Sequence, residues 1–304
     1  MRAFEVVERP SRHLFYVPEG GKTVNMTQSP SDDLSNSTGW RRIDSSGDRA
    51  APAEYLDAVR SVDAARRFKQ ESISLLNLKP GYSALDVGCG TGEDVISIGS
   101  IVGRKGRSVG VDISEIMISE ARRRAGERRA TNVEFAVQNA ESLEYAEVSF
   151  EGCRADRVLQ HLEHPKKALG EFVRVTKRGG RVVVVDTDWD TLVVDSRFKD
   201  VTRHVIRAGT DRMNKNGWCG RQLYGMFKEA GLKDISVEPF AGAFTDYTMA
   251  DQVLSLCFRA DSAEHAGLIS TEEKARWLSD LQKRQALGRF FASLTVFVVG
   301  ATKL

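Results

Sequence analysis

Gly88, Gly90 and Gly92 stand at alternate positions between a short apolar run, Ala84-Leu85-Asp86-Val87, and the acidic pair Glu93-Asp94. Glycines spaced this way let the backbone take φ > 0 and let a ligand lie directly against it. A helix opening at Glu93 would aim unpaired N–H groups at the same spot. A second apolar run, Ser108 to Val111, ends in Asp112, and Ser114 behind it is a helix-capping residue type. A carboxylate at such a strand tip can accept hydrogen bonds from two vicinal ribose hydroxyls. Two further places can handle a proton. His161 carries an imidazole suited to base catalysis near neutral pH, or to fixing a loop or touching a cofactor. The stretch Asp186-Thr187-Asp188-Trp189-Asp190 offers carboxylates and an indole that can orient a substrate, take a proton or steady a cation, or that form a capped turn.

The spacing narrows the ligand. A nicotinamide dinucleotide site uses G-x-G-x-x-G, whereas this loop reads G-x-G-x-G. Asp86, two residues before the first glycine, would face the pyrophosphate of a dinucleotide but suits a ligand with an ammonium group. With these residues in place, the chain from about Ser72 onward resembles the class I S-adenosylmethionine-dependent methyltransferases. The resemblance rests on Leu85-Asp86-Val87-Gly88-Cys89-Gly90-Thr91-Gly92, on Val109-Gly110-Val111-Asp112-Ile113-Ser114, and on Val133-Glu134-Phe135 leading to Asn139-Ala140-Glu141. It also rests on Asp156-Arg157-Val158-Leu159-Gln160-His161-Leu162 and on Val175-Thr176-Lys177-Arg178-Gly179-Gly180-Arg181-Val182. The likeness is to the small-molecule branch found in bacterial biosynthetic pathways.

That resemblance implies S-adenosyl-L-methionine as cofactor, S-adenosyl-L-homocysteine as product, and no metal; His161 and His164 lie in H-L-E-H, not in the H-E-x-x-H zinc pattern. It implies that Asp86 reaches the methionine amino group, that the backbone of Gly88 and Gly90 meets the methionine and ribose, that Asp112 takes the ribose hydroxyls, and that Ile113 packs on adenine. Asn139, Ala140 and Glu141 fall at the adenine end, Asn139 where the family more often has Asp. An Asn oxygen can still accept from the adenine amino group. Gln160 and His161 fall beside the point where the methyl leaves sulfur. The catalytic candidates are His161 and Asp188. Tyr55, Trp189, Trp218, Phe244 and Tyr247 are the substrate-pocket candidates, with Arg66 and Arg221 beside them; each can equally be packing or a solvated charge.

The elements that must hold these residues alternate strand and helix: Ser83 to Val87, a helix from Glu93, Ser108 to Val111, a helix from Ser114, Val133 to Val137, Asp156 to Gln160, a helix from Pro165, and Arg181 to Asp186. Such alternation implies an α/β fold, a doubly wound parallel sheet with ligands beyond the carboxyl ends of the strands. Residues 196–230 read as helical, Lys233 to Phe240 as a sixth strand and Gly288 to Ala301 as a long apolar one. In the family this last strand is antiparallel, giving a Rossmann-like seven-stranded sheet. The expected organisation is a flexible N-terminal arm over 1–50 and a methyltransferase domain over 51–304, with cap elements at 53–78, 187–230 and 241–288. Two helical patterns are expected in the last of these, the second opening with a capping box from Ser270 to Glu273. Ahead of the first strand, Leu56, Val59 and Val62 repeat at helical spacing, and Ser72 to Leu78 gives a second apolar face.

A chain of 304 residues with 41% hydrophobic content suits a soluble core, and a net charge of +2 gives no general attraction to nucleic acid or anionic lipid. No apolar run approaches the roughly 20 residues that span a bilayer. Cys89, Cys153, Cys219 and Cys257 are scattered and read as reduced thiols of a cytoplasmic protein. The basic run Arg122, Arg123, Arg124, Arg128, Arg129 reads as a solvated helix face. Residues 28–48 are rich in Ser, Asp, Asn and Gly, and Met26 is an alternative start. An arm of that kind can fold over its own pocket or reach a second copy of the chain in a homo-oligomer. The leading expectation is a methyltransferase acting on a small, largely apolar metabolite in natural-product biosynthesis, with carbon methylation of a prenyl or terpenoid group as a specific option. Small-molecule O- or N-methylation, a macromolecular methyltransferase and a non-catalytic cofactor-binding regulator are the alternatives. Leu159-Gln160-His161-Leu162 lacks the Asp/Asn-Pro-Pro-aromatic motif typical of base-amino methyltransferases.

Overall fold

Seven strands form one sheet in the order β3-β2-β1-β4-β5-β7-β6. They are β1 (Ser83–Val87), β2 (Arg107–Asp112), β3 (Val133–Val137), β4 (Phe150–Asp156), β5 (Thr176–Val194), β6 (Lys233–Phe244) and β7 (Ala292–Thr302). The computed structural model describes Asp44, residues 51–213 and residues 215–304. The expected arm over 1–50, its role in assembly and the start at Met26 therefore lie outside the described residues, Asp44 apart. β1 pairs in parallel with β2 and with β4, and β7 runs antiparallel between β5 and β6. The winding reverses at β1, so the crevice beyond the carboxyl ends of β1 and β4 is where such a sheet takes a ligand.

Alternate residues of β5 serve opposite faces of the sheet, as the two-residue period of a strand requires. Val182 and Val184 join Phe150, Phe172, Leu223 and Phe227 on one side. Val183 and Val185 join Val59, Phe68, Ile98 and Val298 on the other. The second face is covered by α1 (Ala51–Ser61) and α2 (Asp63–Ser74), with α3 (Glu93–Val102) beside them. The first carries α5 (Pro165–Val175) and α7 (Cys219–Glu229), while α4 (Glu115–Glu127) follows β2.

Several expectations shift, among them the end of the sixth strand, from Phe240 to Phe244, and the start of the seventh, from Gly288 to Ala292. Strand four is expected over Asp156 to Gln160 and is found at Phe150–Asp156. Arg154 hides it, because a charge in mid-strand reads as a break until its partners are known. Beyond Asp156 the chain turns sharply, with Arg157 at φ 57° and a 3-10 turn over Leu159–His161. Strand five is expected to stop at Asp186 but continues to Val194, since β7 pairs Thr187 with Val296 and Asp188 with Thr295 before an irregularity between Asp188 and Val193. Asp186 to Asp190 is therefore strand, not a capped turn after it. The second early helix is Asp63–Ser74 and ends before the apolar run Leu75 to Leu78. The insertion between β6 and β7 holds three helices instead of two: α8 (Tyr247–Leu254), α9 (Leu256–His265) and α10 (Thr271–Ala286). Ser255, in the left-handed conformation at φ 55°, separates the first two, and the Ser270–Glu273 capping box is formed.

The insertion packs on α6 (Lys199–Met213) and on the far end of β5 around Trp189, Val205, Ala260, Trp277, Leu281 and Phe290. The Trp277 indole donates to Thr202 Oγ1 at 2.9 Å. The basic run is only partly the solvated face expected of it. Arg123 pairs with Glu120 and Glu127 on its own helix, whereas Arg124 crosses to Asp57 of α1 and to Glu93 of α3.

Candidate functional site

The glycine loop is tied to the end of β2, where Val111 O accepts from the N–H groups of Gly88 and Cys89 at 2.7 and 2.9 Å. Gly88 has φ 70°, and a Cβ there would run into Val158 after β4; a Cβ on Gly90 would meet Leu56 of α1 at 2.8 Å. The loop is thus sandwiched between Val158 and Leu56, and only glycine fits at these two positions. Asp112 stands over it. Its Oδ2 accepts from Gly90 N at 2.9 Å and its Oδ1 from Ser114 N at 3.0 Å. Burial raises its pKa against those backbone bonds. Ile113, next to it, is 45% exposed, an apolar surface with nothing covering it among the described residues. The helix that follows is capped twice: Ser114 Oγ accepts from Met117 N at 3.2 Å, and the Asp44 carboxylate accepts from Ser114 Oγ at 2.6 Å and Glu115 N at 2.8 Å. Across from Ile113, Asn139 Oδ1 accepts from Glu141 N at 2.9 Å, Ala140 is buried, and Glu141 Oε1 accepts from His164 N at 3.3 Å.

Below the glycines lies a buried ion network that the sequence reading did not find. Asp86 does not face open space: its Oδ1 accepts from Arg154 Nη1 at 2.8 Å. Arg154, 0% exposed, also gives Nη2 to Asp156 at 3.1 Å and to Asp94 at 3.2 Å, and its Nε to Ser72 Oγ at 2.8 Å. Lys69 bridges Asp94 and Asp156, Arg157 holds Asp156 at 2.9 Å, and Arg60 holds Asp94 at 3.1 Å. Desolvation lifts the Asp86 carboxyl to about 6 despite Arg154. Desolvation acts on Asp94 as well, but Lys69 and Arg154 outweigh it and hold that carboxyl at about 2. Asp86, Asp94, Leu56, Arg60, Lys69 and Gly90 share one small cleft. The signal was present as C-R-A-D in β4 and as the acidic pair after the last glycine, but its partners come from four separate elements.

On the acceptor side, three residues form a directed chain. The Trp189 Nε1–H can only donate, and it donates to Gln160 Oε1 at 2.7 Å. That fixes the Gln160 amide, so its Nε2 donates to His161 Nε2 at 3.1 Å and leaves the imidazole proton on Nδ1. Desolvation, with the Arg157 charge, lowers the His161 pKa to about 4. A neutral imidazole whose basic nitrogen is already engaged orients its neighbours better than it takes a proton. The Asp188 carboxylate is likewise committed, to the Arg221 guanidinium through both oxygens, one contact at 2.8 Å. Asp186, fully buried, accepts from Gln160 N and Thr187 N, and burial raises its pKa to about 7.

The other candidates divide. Tyr55 of α1 interacts electrostatically with Arg157, Arg259 and Asp156. Trp218, 47% exposed beneath Arg221, lines an outer cleft with Asp190, Val193, Arg203 and Arg207. Phe244 is buried in the cap cluster, Tyr247 packs edge-on against Phe290 with its hydroxyl 3.1 Å from Cys257 Sγ, and Arg66 turns outward to Asp63.

A family model described as a methyltransferase domain matches residues 78–231. The chain belongs to that methyltransferase family. It is 39% identical over 254 residues, 83% of this chain and 72% of the relative, to an uncharacterised 37.1 kDa protein of transposon TN4556 from Streptomyces fradiae. It is 31% identical over 206 residues, 62% of this chain and 83% of the relative, to the demethylmenaquinone methyltransferase of Halalkalibacterium halodurans. Among solved structures, the YcgJ protein of Bacillus subtilis shares the fold at a TM-score of 0.54 and 19% identity, over 78% of this chain and 98% of that one.

The methyl donor of this methyltransferase family is S-adenosylmethionine, and the residues of the cleft fit it. Gly88 and Gly90 line that cleft with backbone alone. Asp112 and the uncovered Ile113 offer a hydroxyl acceptor and an apolar seat, and Asp86 with Arg60 and Lys69 offers both signs of charge for an amino acid end.

Proposed function

We propose that this methyltransferase methylates a small, largely apolar metabolite in natural-product or quinone biosynthesis, at a carbon of an electron-rich ring. Bound S-adenosylmethionine supplies an electrophilic methyl group on a sulfonium, and the residues described here bind, orient and exclude water. The observation that carries the reading is the cover over the carboxyl ends of β4 and β5. Arg259 of α9 joins Tyr55 of α1, through charge, to Trp189 of β5, through its ring, and Trp189 leads on to Gln160 and His161. Buried aromatic and polar groups of this kind suit a small acceptor better than a nucleic acid or protein surface. The relative named for demethylmenaquinone supports a quinone-like acceptor.

The prenyl option is less well supported. Methylating an isolated alkene creates a carbocation, and the charges of Arg157 and Arg259, which act on Tyr55 more strongly than that of Asp156, would repel it. Alignment supplies much of the rate in such a transfer. The test is incubation with methyl-labelled S-adenosylmethionine and fractionated extract of the source cell, comparing wild type with Asp112→Ala. Label in organic-soluble metabolites, reduced at least about tenfold in the variant, is the expected result. Label in RNA or protein would replace the reading.

A further inference from the structure

Arg259 is the charge this site leaves unanswered. It is 1% exposed and lies at the α9–α6 contact under the cap. Its Nε donates to Leu254 O at 2.8 Å, and its guanidinium carbon lies 4.5 Å from the centre of the Trp189 ring. Its Nη1 is buried with no hydrogen-bond partner among the described residues, and no carboxylate among them forms an ion pair with it. The surrounding chain makes room for the group: a Cβ on Gly209 of α6 would overlap Nη1. Glycine inside a helix is destabilising relative to alanine, and here it admits a cation. Burial lowers the Arg259 pKa to about 10, the Tyr55 phenol opposing, so the guanidinium keeps its charge at neutral pH. An isolated buried charge is costly until it is paired. Elsewhere in the molecule buried cations are paired, as Arg154 is by three carboxylates.

We infer that Arg259 binds an anionic oxygen of the acceptor, so that the substrate is a flat, largely apolar molecule bearing one phenolate, enolate or carboxylate. The inference rests on the methyltransferase reading above and names the substrate class of that site. Its chemical sense follows from the neighbours. His161 and Asp188 are both engaged, and an acceptor that arrives ionised needs neither as a base. The Trp189 indole ties the guanidinium to Gln160 and His161, with its ring against Arg259 and its Nε1–H on Gln160 Oε1.

The experiment is calorimetric titration of the S-adenosylhomocysteine-loaded chain with 2-naphthoate and with its neutral isostere 2-naphthamide. The wild type is expected to bind naphthoate about tenfold or more tightly than naphthamide, the increment of a charge-assisted hydrogen bond. Arg259→Met should abolish that preference and Arg259→Lys should keep part of it, with the affinity for S-adenosylhomocysteine unchanged in both. Equal affinity of the two probes for wild type, binding of neither, or a preference that survives Arg259→Met overturns the inference. The wild-type comparison decides even if a variant misfolds. Failure of the wild type to bind S-adenosylhomocysteine would count against the methyltransferase reading instead, so the two failures are distinguishable.

Discussion

The two ends of the site treat charge in opposite ways. Beneath the glycine loop, Asp86, Asp94 and Asp156 face Arg154, Lys69 and Arg157, and every one of these groups has a partner of opposite sign. Under the cap, Arg259 is as deeply buried as Arg154 and has no carboxylate beside it among the described residues. The first arrangement balances its own charges while lining the cleft at the glycine loop. The second is completed only by something that binds. Burial alone therefore says little about a charge; the partner decides whether it belongs to the scaffold or to the ligand.

Removing the two arginines should separate these roles most sharply. Arg154→Met strands three carboxylates and is expected to cost about 3–5 kcal/mol of stability by urea unfolding. Arg259→Met removes a buried charge that lacks a partner, and its stability should lie within about 1 kcal/mol of wild type or exceed it. Similar large losses for both would break the comparison.

A smaller effect concerns Asp186, whose carboxyl is held near 7 by burial while its ordinary value is 3.8. The folded state then keeps a proton that the unfolded state has released. Stability from this group is full below about pH 4 and is lost as pH rises to about 7. Between pH 5 and pH 7, wild type should lose about 2 kcal/mol more than Asp186→Asn, whatever constant offset the amide introduces. Parallel unfolding curves for the two proteins would show that Asp186 is ionised throughout.

The smallest expected effect is that of Trp189→Phe, which keeps the ring beneath Arg259 but deletes the donor to Gln160. About 1 kcal/mol of stability should be lost, seen as a lower midpoint in thermal unfolding, while binding of S-adenosylhomocysteine stays the same. A large drop in that affinity would mean that Gln160 orders the cofactor end as well.

Much of the fold was legible because its signals are local. β1 and β3 fall where the apolar runs end, Ser114 and Ser270 cap the helices they precede, and the glycine loop lies at the switch point. Strand four was displaced because Arg154 breaks its hydrophobic pattern, and a buried arginine is readable only with Asp86, Asp94 and Asp156 around it. The extension of β5 depends on pairing with β7 more than a hundred residues later, which no local propensity encodes. In the same way Asp188 is a catalytic candidate on the sequence alone, and its pairing with Arg221 appears only in the fold; Arg259 had no signal at all, and its meaning comes from Gly209 and Trp189.

The chain of Trp189, Gln160 and His161 has a consequence for the history of this sequence. Its direction is set at one end by a ring that can only donate, and each later group inherits its orientation from the one before. An exchange at any single position removes the reason for the other two to be what they are. Across descendants of a common ancestor, these three positions should therefore be inherited as a block and replaced as a block. A lineage that has lost the tryptophan should also have lost the glutamine–histidine pair, even where the glycine loop is untouched.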